Sequence, residues 1–329
     1  MKKVVIALIV VLAFTQALFA GGSKDNQQKI ILRWGTVVAD GNVTVDMMRR
    51  TAEEINSKTN GRVEVQVFSN GVLGSGRDLV EGVQSGIVDM TIEGPGYLAP
   101  YVPAASILDA PFIYRDVDHM LKVFRSPFMD RIKDEMLKKN VRILGEIYYG
   151  TRHVTTGKVP VYSVKDVGGL KFRVPENRSY MEMVNSWGAR PTPVSLAELY
   201  LSLQSGIVDG QENPLSTIEA QKFYEVQKYV VLTSHIIAVT IIIVNENSWK
   251  RISPEDQKII QTAMNNGMEW NNAEMIRREG YLVDELKAKG MEFITPDRES
   301  FRTVTGPYML ERFEAEWGKG SWDEIQNVK

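Results

Sequence analysis

The stretch Gln84-Ser85-Gly86-Ile87-Val88-Asp89 recurs without change as Gln204-Ser205-Gly206-Ile207-Val208-Asp209, 120 positions later. The residues before each copy match in pattern too, with Leu79 and Val83 answered by Leu199 and Leu203. In both copies glycine stops a helix, because it enters the left-handed conformation without steric cost. An Ile-Val pair then opens a short buried strand closed by aspartate. Both copies follow a strand, a turn and a helix, so the chain reads as two similar lobes carrying one copy each. The interval is too long for a solenoid repeat.

Outward from the first copy, Ile30 to Trp34 is a strand and Asn42 to Asn56 an amphipathic helix. Arg62 to Phe68 alternates Val63, Val65 and Val67 with Glu64 and Gln66, as a half-buried strand does. A glycine-rich turn, Gly71 to Gly76, leads into a helix over Asp78 to Gln84, and Ile87 to Ile92 is the next strand. Ser126 to Lys139 is a charged helix and Val141 to Tyr148 a strand. Around the second copy, Gly169 to Val174 is a strand, and Glu176 to Trp187 and Ser195 to Gln204 are helices. Ile236 to Val244, apolar apart from Thr240, is too short to span a bilayer and reads as a central strand. Ser253-Pro254-Glu255 opens a helix whose pattern runs to Gly290, about 35 residues. Unbroken, it would brace both lobes; a break at Gly267 is the alternative. The strand–helix rhythm implies an α/β fold with largely parallel sheets.

The chain has 329 residues, 43% hydrophobic and 24% charged, with a formal charge of −2. That is a globular mix, and its balance argues against a nucleic-acid partner. The absence of cysteine removes disulfides, thiolate metal sites and a cysteine nucleophile. Lys2 and Lys3, the apolar run Val4 to Phe14, and Ala17, Ala20, Gly21 and Gly22 have the layout of a secretory signal peptide over 1–22. Cleavage after Ala20 or Gly22 stays open, and removal takes two lysines and no acid, so the charge goes from −2 to −4. A membrane anchor would need about 20 apolar residues, and a bacterial lipoprotein would need a cysteine near Gly21. A periplasmic protein is expected.

Catalytic signals are weak. His119, His153 and His235 are scattered without metal-ligand spacing, and Gly74-Ser75-Gly76 is no nucleophile elbow. No dinucleotide or phosphate loop occurs, so neither cofactor nor metal is expected. Asp116 and Asp118 precede a helix and read as caps. Binding is better supported. Along Lys171-Phe172-Arg173-Val174, alternation puts Phe172 and Val174 on one face and the two cations on the other. Pro175-Glu176 ends the strand, which leaves Arg173 at a carboxyl end, where open α/β sheets bind ligands. A guanidinium can hold a carboxylate through two parallel hydrogen bonds; pairing with a neighbouring acid is the alternative. Arg152, after Tyr148-Tyr149-Gly150, is a second cationic candidate. Asn213, after the second repeat strand, would hydrogen-bond a ligand or cap a helix at Pro214.

Gly169-Leu-Lys-Phe-Arg-Val-Pro-Glu176, Gly188-Ala-Arg-Pro-Thr-Pro193 and Val208-Asp-Gly-Gln-Glu-Asn-Pro214 resemble the solute-binding receptors of TRAP transporters, the DctP family. The likeness continues through Ala220 to Lys228 and upstream through Leu73 to Asp78, Gly86 to Asp89 and Ala110 to Ile113. It implies a two-lobed Venus-flytrap fold with a hinge and a long helix crossing both lobes. On that pattern the first lobe spans 29–151 with a strand near 236–250 returning to it, and the second spans 152–235. The bridging helix takes 253–290, and 291–329 packs on the lobes. The resemblance makes Arg173 the carboxylate clamp, with Arg152 and Asn213 as further contacts. It implies a monomeric receptor that hands a small organic acid to a permease of small and large membrane subunits.

Relative to sialic-acid receptors, Val37 and Leu196 stand where an asparagine and a phenylalanine are expected, and Gly94 and Tyr97 where an acid and an arginine are. Asp40, Glu93, Asn177 and Arg178 would suit a hydroxylated acid, and Asp40 or Glu93 would repel a second carboxylate not offset by a cation. The expected ligand is a sugar acid, a uronate or aldonate, ahead of a C4-dicarboxylate. A secreted sugar-acid lyase or hydrolase, and a receptor for an ABC importer, are the rival readings.

Overall fold

The computed structural model describes residues 29–329, and the expected signal peptide lies outside the described residues. The first half runs β1 (Ile30–Gly35), α1 (Val43–Lys58), β2 (Val63–Phe68), α2 (Gly76–Ser85) and β3 (Met90–Glu93). Side-chain caps start both helices: Asn42 accepts from the backbone N–H of Thr44, and Ser75 forms a reciprocal box with Asp78. The strand expected from Ile87 begins at Met90 instead. Val88 donates its N–H back to the Gly82 carbonyl to finish the helix end, which leaves Ile87 69% exposed.

Two short 3-10 turns, Pro95–Leu98 and Pro103–Asp109, precede α3 (Val117–Val123) and α4 (Pro127–Lys138). Asp116 caps α3, as its position indicates. Next come β4 (Val141–Thr156), β5 (Lys171–Val174), α5 (Arg178–Ser186), β6 (Arg190–Pro193), α6 (Leu196–Gln204), β7 (Gly210–Pro214) and α7 (Leu215–Ala220). The chain closes with β8 (Tyr229–Asn245), α8 (Glu246–Lys250), α9 (Pro254–Ala288), β9 (Glu292–Ile294), α10 (Arg298–Trp317) and α11 (Ser321–Gln326).

Among the described residues the strands form one sheet, ordered β2-β1-β3-β8-β4-β7-β5-β6, with β9 paired to β8. β2, β1 and β3 run parallel, as do β6, β5 and β7. Between these parallel sets lie the long antiparallel strands β4 and β8. Both expected lobe borders fall inside them, so single strands run through both halves. The ladder shifts register at Ile143/Gly145, Tyr148/Gly150 and Arg152/Val154, and such bulges bend a strand. At the middle shift Gly150 takes φ +116°. The neighbouring Tyr148 backbone is held from α9: its N–H donates to Asn272 Oδ1 at 2.8 Å, and its carbonyl accepts from Asn271 Nδ2 at 2.9 Å.

α9 is unbroken over 35 residues. Gly267 is a point of close approach: a Cβ there would stand 2.2 Å from Thr51 Oγ1. Ile260, Ala263 and Met264 join the core of Leu32, Trp34 and Ile55, while Leu282 and Leu286 join that of Leu199, Leu203 and Phe223. The helix thus braces both halves. α10 does the same through its polar edges. Trp317 Nε1 donates to Ser106 Oγ at 2.9 Å, and Thr305 Oγ1 accepts from Trp187 Nε1 at 3.0 Å. Among the described residues no helix is long and apolar enough to cross a membrane.

Candidate functional site

The repeated aspartates set the register of each half. Asp89 Oδ2 accepts from the backbone N–H of Arg33 at 2.9 Å, and Asp209 Oδ2 from that of Lys171 at 2.8 Å. Trp34 and Gly35 then lie beside Met90 and Thr91, and Phe172 and Arg173 beside Gly210 and Gln211. Position for position, Arg173 corresponds to Gly35 and Asn213 to Glu93. These strand ends open on a cavity of about 470 Å³ lined from both halves, within the range of small-molecule sites.

Arg173 is buried at 3% exposure, and its Nε donates to the Val194 carbonyl at 2.8 Å. Its two terminal nitrogens have no protein partner and it makes no ion pair among the described residues. Burial draws its pKa down to about 10, against the attraction of Tyr97 and Glu212, so it remains a cation at neutral pH. Arg152 differs. Its Nε and Nη2 grip the Glu212 carboxylate, the latter at 2.8 Å, and Nη2 also donates to the Glu212 carbonyl at 2.7 Å. Burial pushes the Glu212 carboxyl up, but Arg152 and His235 hold it down to about 2. His235 Nε2 lies 3.1 Å from Glu212, and the Arg152 guanidinium stacks over Tyr180. Arg152 lines the cavity with Nη1 left over from this pairing.

Asn213 lines the cavity as part of β7, not of a loop, and it caps nothing; its Nδ2 donates to Gln211 Oε1. Glu93 ends β3 at 7% exposure, and its Oε1 has no hydrogen-bond partner. Tyr97 lies beside it on the first 3-10 turn. Asn177 caps α5, accepting from the Ser179 N–H at 2.9 Å, while its Nδ2 donates across the cavity to Asp109 Oδ2 at 3.2 Å. That contact needs Gly96, where a Cβ would stand 2.0 Å from the amide nitrogen.

Two expected residues stand elsewhere. Asp40 is half exposed and engaged by Arg49 at 2.6 Å, Ser69 at 2.7 Å and Asn70 at 3.3 Å, and it does not line the cavity. The turn that delivers Asn42 to cap α1 carries Asp40 onto this surface network. Arg178 lies outside as well, paired with Glu316 and stacked on Phe313 of α10. Val37, Gly94, Tyr97 and Leu196 all line the cavity. So do Asp109, Tyr149 and Tyr180, which the sequence did not mark. Asp109 is 2% exposed and accepts from the Gly96 N–H at 2.8 Å. Burial lifts its carboxyl to about 7 against the pull of Gly96, Arg152 and Asn177. All three histidines are buried and hydrogen-bonded within the core.

A two-halved α/β frame with an unpaired buried arginine facing an interlobe cavity defines a solute-binding receptor. The model of bacterial extracellular solute-binding protein family 7, DctP, matches residues 34–316, and the chain belongs to that family, the solute receptors of TRAP transport. It is 34% identical over 289 residues to the sialic acid-binding periplasmic protein SiaP of Vibrio cholerae, covering 88% of this chain and 89% of that protein. Among solved structures it matches a TRAP periplasmic solute-binding protein from Polaromonas bound to D-erythronate, with a TM-score of 0.87, 31% identity and coverage of 92% and 99%. It likewise matches one from Roseobacter denitrificans with bound L-galactonate, with a TM-score of 0.85, 30% identity and coverage of 92% and 99%.

Proposed function

We propose that this receptor captures a sugar acid of the aldonate or uronate kind between its lobes and delivers it to a TRAP permease of small and large membrane subunits. One observation carries the reading: Arg173, itself buried, presents to the cavity two guanidinium nitrogens without a partner among the described residues. A carboxylate is the group that fills such a fork, and a hydroxylated chain suits the amide, phenol and acid groups around it. D-erythronate and L-galactonate, the ligands of the two matched receptors, are polyhydroxy monocarboxylates. The protein works as a periplasmic monomer, freed by removal of 1–22, and binding favours the closed state that the permease must recognise and reopen.

Calorimetry with a panel of aldonates and uronates tests the reading. Arg173→Ala is expected to weaken binding by at least about 2 kcal/mol, since it leaves a buried carboxylate unpaired. Near wild-type affinity in that variant would overturn it. In thermal shift, a ligand at about 100 times its dissociation constant adds about 2.7 kcal/mol of stability. A receptor also returns the acid chemically unchanged, which separates it from a lyase or hydrolase.

A further inference from the structure

Glu93 is a buried acid without a counter-ion. It ends β3 at 7% exposure, its Oε1 is unpartnered, and it makes no ion pair among the described residues. Gly76, the first residue of α2, lets the carboxyl lie against the helix start: a Cβ there would stand 3.0 Å from Glu93 Oε2 and 2.9 Å from the Tyr97 ring. The ionisable groups around it are Tyr97 and Asp109 on the 3-10 turns, Tyr149 on β4 and Arg173 on β5. Asp78 and Arg77 on α2 and Glu176 before α5 stand at the lip. β8, paired with β3, contributes only uncharged residues to this wall, Ala238, Val239 and Thr240. Burial pushes the Glu93 carboxyl up to about 8, opposed by the Val37 amide and reinforced by Asp109.

We infer that Glu93 sets ligand specificity: its carboxyl donates a hydrogen bond to a ligand hydroxyl, and by staying uncharged it leaves the cleft positive enough for one ligand carboxylate and no more. This rests on the Arg173 clamp proposed above. Among the buried groups of the cleft, two guanidinium groups face one fully ionised acid, Glu212, and Asp109, whose carboxyl is lifted to about 7, while the acids at the mouth, Asp78, Glu176 and Glu198, are exposed to solvent that screens them. One ligand carboxylate takes up the remaining positive charge. A second would leave uncompensated negative charge beside the buried Glu93 and Asp109, with Arg152 already engaged by Glu212. An unpartnered carboxyl oxygen in the cavity wall further rejects ligands that lack a hydroxyl to pair with it.

The test is calorimetry on the mature protein with D-gluconate, hexanoate and succinate, beside the aldonate and uronate panel. The wild type is expected to bind its best aldonate or uronate at least about 100-fold tighter than succinate or hexanoate. Its affinity should fall about fivefold to tenfold between about pH 7.5 and about pH 9, as Glu93 ionises against the ligand carboxylate. Glu93→Gln, which cannot ionise, should abolish that fall. Glu93→Leu should lose about tenfold or more for the hydroxylated acid and nothing for hexanoate. A wild type with no pH dependence, a Glu93→Gln slope equal to wild type, or equal affinity for succinate would overturn the inference while the clamp stands. Loss of the Arg173→Ala effect, or no binding by any acid, would remove the clamp and the inference together.

Discussion

In the first half Asp89 holds the backbone N–H of Arg33, and the Arg33 guanidinium reaches back to the carbonyl of Ile87. In the second half Asp209 holds the N–H of Lys171, and the Lys171 ammonium reaches the carbonyl of Gly206. Gly86 and Gly206 adopt φ of +84° and +73°, and the isoleucines after them are 69% and 55% exposed. The repeat therefore builds the sheet ends remote from the cleft. At the opposite strand ends the halves diverge. Gly35 stands where the second half has Arg173, and any side chain there would have to displace Leu79, since a Cβ would lie 2.6 Å from its Cδ2. Glu93 stands where the second half has Asn213. One half presents a cation and an amide, the other an acid and bare backbone. Identity between the copies marks frame, and difference between them marks site.

The largest expected effect comes from the ion pair that only the second half and its border strand possess. Arg152→Met should cost about 3–5 kcal/mol in chemical denaturation at neutral pH, because Glu212 stays buried without its guanidinium partner and keeps only His235. Since Glu212 is held down to about 2, below the ordinary value of 4.5, its contribution is present above that ordinary value and is lost as pH falls toward 2. Denaturation of the wild type across that acid window should show the loss, and Arg152→Met should not. A variant as stable as wild type would mean the second half does not depend on this pair.

The aspartates come next. Asp89→Ala and Asp209→Ala should each destabilise by about 1–3 kcal/mol without changing ligand preference. Asp89→Ala should be the worse of the two, since Asp89 also accepts from Ser248 Oγ at 2.7 Å and Arg251 Nη2 at 3.3 Å. A shift in ligand selectivity from either would break the division between frame and site. The smallest effect is predicted for Ile87→Ser and Ile207→Ser. Both should stay within about 0.5 kcal/mol of wild type by thermal denaturation, as exposed positions do.

Much of the frame was legible in sequence because helix stops and caps are local events: Gly86, Gly206, Asp116 and Ser253 act on neighbours a few residues away. Arg173 was legible because a proline ends its strand and alternation fixes its face. Asp109 gave no such signal, since it sits in a turn without periodicity and enters the cavity only through its contacts with Gly96 and Asn177. Register could have paired Glu93 with Asn213, four residues beyond each repeated aspartate.

By itself the sequence determined two α/β halves, a bracing helix and two arginines beside a strand-end cleft, since hydrophobic period and capping read along the chain. Only the tertiary structure decided which arginine is free. β4 pairs with β7 in a register that sets Arg152 opposite Pro214, next to His153 and Asn213, and brings the Glu212 carboxylate, 60 residues away, onto its guanidinium. β5 brings no acid to Arg173, and Asp40 is drawn off to the surface by Arg49 and Ser69. Charge pairing follows distance in space, falling off with separation and solvent screening, and distance in space is what the linear chain leaves open.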